Sequence, residues 1–219
     1  MKRSPNTGFT LVELLVAMAA ASIVMVAVVS AYQVQVRSKN TQEALTDMNQ
    51  TARAALEIMT HEIRMAGCDP TLTAGAGILT ADPDELSFSM DIVNAAGTSF
   101  QPDGLLTGPN ETVSYAINAD GHLGRDTGGG LQPLARNVDA LDFVYLDADG
   151  NVTAALDDIR AIQVTIVARA GEAESPFRHA HTDSDDYLNQ QGTVIFTAPG
   201  DSFRRLRLST TIACPNLAF

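Results

Sequence analysis

Apolar and polar positions divide this chain into three regimes. From Leu14 to Ala31 the sequence LLVAMAAASIVMVAVVSA holds no charge, and Ser22 and Ser30 are its only hydroxyls. Such a run is just long enough to cross a bilayer as a helix. Residues 33–66 contain neither Pro nor Gly. There Leu45, Met48, Ala52, Leu56, Met59 and Ile63 recur at helical spacing, with Gln42, Glu43, Asp47, Gln50, Arg53, Glu57 and Arg64 on the other face. That is the stripe of an amphipathic helix. Gly67, suited to a left-handed cap, and Pro70 end it. The two regimes predict one helix over residues 9–66, roughly 87 Å at 1.5 Å per residue. Residues 9–32 form its membrane-spanning or core part and 33–66 its amphipathic part.

After Pro70 the period falls to two. Strands are predicted at Gly77–Thr80, Glu85–Asp91, Thr112–Asn118, Leu131–Val138, Ala140–Asp147, Ile159–Ala170, Thr193–Thr197 and Arg204–Cys214. Leu141, Phe143 and Tyr145 share one face of their strand, as do Ile162, Val164 and Ile166, and Leu206 and Leu208. Thr127 to Gly130 and Pro102-Asp103-Gly104 mark loops. The expected fold is α+β, with residues 67–219 forming a β-rich domain whose antiparallel sheet packs on the second half of the helix.

Composition narrows the function. The 219 residues are 45% hydrophobic and 18% charged, and the formal net charge is −12. That balance suits a globular chain and repels phosphate backbones, so no nucleic-acid partner is expected. No G-x-S-x-G, H-E-x-x-H or P-loop occurs, and no Ser, His and Asp spacing selects a triad. The expectation is a protein that is no enzyme and carries no cofactor. Lys2 and Arg3 precede the apolar run, which keeps the N-terminus cytoplasmic and sends the remainder outward. Cys68 and Cys214 are the only cysteines. In a chain that leaves the cytosol they form either one disulfide or two buried thiols.

Glu13 stands at the threshold of the apolar run. A carboxylate at membrane depth costs about 2.5–3.5 kcal/mol and usually marks function. The segment Gly8-Phe9-Thr10-Leu11-Val12-Glu13-Leu14, with the basic leader before it and the apolar helix behind, resembles the recognition site of type IV prepilins and type II secretion pseudopilins. The resemblance implies removal of residues 1–8 as a leader, by cleavage between Gly8 and Phe9, and N-methylation of Phe9. It places Glu13 at the fifth mature position, as an assembly residue. Its partner would be the new amine of Phe9, in the same helix or in a neighbouring subunit; the resemblance favours the neighbour. The stretch MTHEIRMAGCDP, through Glu62, Ile63, Arg64, Ala66 and Gly67, is similar to the helix end of PilW-type minor pilins and, more loosely, GspJ-type minor pseudopilins. From residues alone it is a capped helix end with Glu62 and Arg64 solvated.

The implied function is that of a minor pilin which primes or caps a type IV pilus through helix packing. Implied partners are other minor and major pilins, the prepilin peptidase, the inner-membrane assembly platform and membrane lipid. The implied location is the bacterial inner membrane, single-pass, and then the pilus, periplasm or cell surface. A GspJ-like pseudopilin of a type II secretion system is the alternative, and a membrane-anchored periplasmic binding module or enzyme a more distant one.

Two clusters have oxygen- or nitrogen-rich patterns. Asp147, Asp149 and Asn151 resemble part of a calcium loop, but the twelfth position is Asp158 where a bidentate glutamate is needed. A hairpin turn at Asp149-Gly150 is the favoured reading. His179 and His181, with nearby aspartates, are weak candidates for a metal, and a surface loop is the favoured alternative. No metal is expected.

Overall fold

The computed structural model describes residues 8–171 and 181–218. Two compact units are present, residues 1–43 and 44–219. Helix α1, Leu11–Ile63, contributes to both.

In the first unit α1 presents an apolar surface from Leu14 to Ala31. Leu14, Val16, Met18, Ile23, Val26 and Val28 are all exposed. Ser22 and Ser30 return their hydroxyls to the carbonyls one turn back, at 2.7 and 2.8 Å. The helix therefore carries no unsatisfied polar group along this stretch, as a lipid or packed-helix environment requires.

Among the described residues the second unit holds ten strands. β1 (Ile78–Ala81), β2 (Glu85–Ser89), β3 (Thr112–Ile117), β4 (Leu123–Asp126) and β5 (Gln132–Ala135) form an antiparallel meander in sequence order. β6 (Val138–Leu146), β7 (Ala161–Arg169) and β10 (Arg205–Ala213) form a second antiparallel sheet, ordered β10-β7-β6. β8 (Tyr187–Leu188) and β9 (Val194–Phe196) make a small hairpin. The fold is α+β, a long N-terminal helix with antiparallel sheets. The single expected sheet is instead three.

The end of α1 packs on both larger sheets at once. Ala55, Met59 and Ile63 enter one core with Phe88, Val113 and Tyr115 of the first sheet and Phe143, Ile162, Val164 and Ile212 of the second. Met48 and Ala52 lie against Ala168, Ala170, Leu206 and Leu208. The register of β10 on β7 sets Leu206, Leu208 and Ile212 opposite Ala168, Ile166 and Ile162. Directly opposed residues share a face, so period two delivers all of them to the helix side. The stripe on α1 shifts by one position. Ala55 is fully buried, while Leu56 is only half-buried, because 3.6 residues per turn drift off a strict three-four pattern.

The helix is shorter than the expected 9–66 at both ends. Thr10 precedes its first turn and caps it. The last turn tightens, with Met65 N–H donating to Glu62 C=O and Ala66 N–H to Ile63 C=O. Such i→i−3 bonds satisfy carbonyls that α-helical geometry would leave open. Gly67 then takes φ +76° and donates its N–H to Ser89 C=O at 3.0 Å. A Cβ there would meet Leu217 Cδ2 at 2.5 Å, so both conformation and space call for glycine.

Candidate functional site

The N-terminal site is built by a reciprocal cap. The Thr10 N–H and Thr10 Oγ1 both donate to Glu13 Oε2 at 2.9 Å, and Glu13 N–H donates to Thr10 Oγ1 at 3.3 Å. This is the capping box, in which a threonine and a glutamate three residues on satisfy each other's open donors. It fixes the start of α1 at Leu11 and leaves Gly8, Phe9 and Thr10 outside the helix. Phe9 is 92% exposed. Phe9 therefore does not stand one helical turn from Glu13, and the carboxylate's own-chain bonds go to Thr10. Both of those bonds fall on Oε2. Of the proposed leader, residues 1–7 lie outside the described residues.

A known signature covers this segment. The family model for the prokaryotic N-terminal methylation motif matches residues 3–29. The chain carries a type IV prepilin signal. The matched residues include Gly8, Phe9, Glu13 and most of the apolar run. Of solved structures, a type IV-like pilin from Thermus thermophilus aligns at a TM-score of 0.49 and 18% identity, over 78% of this chain and 98% of that one. No curated protein matches the chain. Among the described residues α1 is the one helix long and apolar enough to cross a membrane.

In the second unit the helix end that carries the Glu62 signature is locked into the first sheet. Arg125 of β4 reaches Glu62 through Nε at 2.8 Å to Oε2 and through Nη2 at 2.7 Å to Oε1, and the Tyr115 hydroxyl donates to the same carboxylate. Glu62 is therefore not solvated, as the sequence alone suggested, but forms a bidentate pair that ties α1 to β3 and β4. Burial, then the adjacent Glu62 carboxylate, push the Tyr115 phenol well up. Arg64 does remain exposed, and its carbonyl accepts from Asn216 Nδ2 at 3.1 Å. Ile63 and Ala66 fill the core.

A second ionic centre joins β6, β10 and the segment that covers them. Arg205 is 3% exposed at its side chain. Its Nε donates to Asp139 Oδ2 at 2.6 Å, and its Nη1 to Asp183 Oδ2 and Asp201 Oδ1, both at 2.7 Å. A further bond runs from Nη2 to Asp201 Oδ2 at 2.8 Å. The guanidinium also lies over the Phe196 ring at 5.1 Å. Asp183 takes a further bond from the Tyr187 hydroxyl. The hydrogen bonds from Arg205 hold the Asp201 carboxyl down at about 2. Nothing in the sequence pairs these residues, because Asp139 and Arg205 are far apart along the chain.

The metal candidates resolve differently. Asp147 Oδ1 accepts the N–H groups of Asp149 and Asn151 at 2.9 and 2.8 Å, and Gly150 takes φ +83°. Asp147 thus serves its own turn between β6 and the Leu146–Val152 bridge. His181 lies beside Asp183, which is committed to Arg205; His179 lies outside the described residues. Among the described residues no group of three or more His, Cys, Asp or Glu could hold a metal.

Cys68 and Cys214 are free thiols. Burial raises Cys214 to about 12, and burial with the nearby Asp91 and Asp69 charges raises Cys68. Because the thiolate is the reactive form, both react slowly at neutral pH. The half-buried Cys68 is expected to label with a maleimide well before the buried Cys214. Mass spectrometry of a labelling time course checks this; equal rates, or a chain lighter by two hydrogens that takes no label, would contradict it.

Proposed function

We propose that this chain is a minor pilin, an assembly subunit of a type IV pilus that helps to prime or cap the filament. The observation that carries this reading is the methylation motif over residues 3–29, seated on a helix whose apolar run from Leu14 to Ala31 is exposed. An exposed apolar helix needs either lipid or other helices around it. A pilin uses both in turn, first as a membrane anchor and then as filament core.

The steps follow from the N-terminal geometry. A prepilin peptidase cuts between Gly8 and Phe9, which lie outside the helix and accessible. Cutting creates a positive amine on Phe9, which is then methylated. Glu13 already has its Oε2 engaged by Thr10 in its own chain. We place Oε1 opposite the Phe9 amine of a neighbouring subunit, a pairing that gains most where water is excluded. The chain's partners are then other pilins, the peptidase, the inner-membrane assembly platform and lipid.

Expression in cells with and without a prepilin peptidase tests the processing step. With the peptidase the chain is expected to lose its first eight residues; with Gly8→Val it is expected to stay full length in the membrane fraction. Equal mobility in both strains, or loss of a longer segment ending inside the apolar run, would overturn the reading.

A further inference from the structure

Among the described residues the two larger sheets have four edges, of which three are blunted and one is not. β1 has four residues and a register shift, and it abuts the short helix Leu156–Asp158. β5 has four residues, a register shift and Pro133. β6 is occupied on its outer side by the Phe143 N–H bond to Pro83 C=O and by the bridge to Val152. Short length, bulges, proline and charged side chains are the ordinary ways of stopping strand addition. β10 has only the last, Arg205 and Arg207, and Arg205 is committed to Asp139, Asp183 and Asp201. The strand is nine residues long, RLRLSTTIA, it pairs with β7 without a register shift, and it ends its sheet.

The phase of its hydrogen bonds says what the free edge offers. Ala170 N–H donates to Arg204 C=O and Cys214 N–H to Arg160 C=O, at 2.8 and 2.9 Å. With the register continuous between them, the even-numbered residues bond to β7. Alternation then turns the N–H and C=O of Arg205, Arg207, Ser209, Thr211 and Ala213 outward. Among the described residues these groups have no backbone partner on that side. The last four of these residues are exposed. Beside the edge, between β10 and α1, runs a groove of about 520 Å³ lined by Arg53, Leu56, Glu57, Thr60, His61 and Leu208 among others.

We propose that this edge takes an extended strand from a neighbouring subunit of the filament, which adds a fourth strand to the β10-β7-β6 sheet. The inference rests on the assembly reading above. A row of outward amides and carbonyls two residues apart is complementary to an extended backbone and to little else. The added strand sends alternate side chains into the groove beside α1. Its residue opposite the exposed Arg207 is acidic, since like charges directly opposite destabilise a pair. Arg53 in the groove favours the same sign.

Hydrogen exchange on the full chain, free in detergent and then in purified filaments, tests this. The amides of Arg207, Ser209, Thr211 and Ala213 are expected to exchange fast in the free chain and to slow on the order of tenfold or more in the filament. Ser209→Pro removes one outward N–H and no bond to β7, a position where an edge strand tolerates proline. It is expected to keep the unfolding midpoint of the parent and to be depleted from filaments. A chain present in filaments with these amides still fast, or Ser209→Pro incorporated like the parent, would overturn strand addition while leaving the assembly reading intact. Absence of the parent chain from filaments would overturn the assembly reading itself.

Discussion

Replacing Glu13 by alanine is expected to leave the chain in the membrane and to remove it from filaments. The substitution deletes two things at once, the charge and the acceptor that completes the cap with Thr10. Glutamine separates them, because Ser/Thr-x-x-Gln still forms a capping box. If the charge is what docks the subunit, Glu13→Gln keeps the helix start yet is lost from filaments nearly as completely as Glu13→Ala. If the cap alone matters, Glu13→Gln assembles normally and Glu13→Ala does not. Quantifying each variant in sheared filaments against its membrane pool decides the matter. Normal assembly of both variants would remove Glu13 from the mechanism.

Arg205→Met is expected to have the largest effect on the stability of the second unit. The buried guanidinium bonds to Asp139, Asp183 and Asp201. Methionine fills much of the space but leaves the buried Asp183 without the guanidinium it pairs with, while Asp139 keeps only Arg169. Breaking one side of a buried ion pair costs about 3–5 kcal/mol, a large share of the stability of an ordinary domain. The same centre sets an acid limit. The Asp201 carboxyl sits at about 2 in the folded chain, below its unfolded value of about 3.9. Its contribution is therefore complete above about pH 4 and is lost as pH falls through about 2. Urea midpoints measured across that window should fall with acid in the parent and much less in Arg205→Met. A midpoint for Arg205→Met within experimental error of the parent at neutral pH would contradict this account.

These two sites differ in how far the sequence exposed them. The methylation motif was legible because it is contiguous, with Gly8, Phe9 and Glu13 all inside residues 3–29. The Thr10 cap lay in the same segment, and its Thr-x-x-Glu spacing was the sign that the helix starts at Leu11 rather than Phe9. The Arg205 centre and the Glu62–Arg125 pair were not legible, since each joins residues brought together only by the sheets. Strand periodicity found β6, β7 and β10, where Leu141, Phe143 and Tyr145, then Ile162, Val164 and Ile166, then Leu206 and Leu208 recur two residues apart. It missed β4, Leu-Gly-Arg-Asp, because a single apolar residue carries no period. It missed β8 because two residues cannot show one. Those strands exist through their pairing with β3 and β9, which is tertiary information. The division into three sheets was hidden for the same reason.

The proposed processing and filament assembly of this chain are tested most directly by the intact mass of the chain recovered from sheared, purified pili. The expected species begins at N-methylated Phe9 and carries the rest of the sequence unchanged. Recovery of the chain only from membranes, or with residues 1–8 still attached, would contradict the proposal.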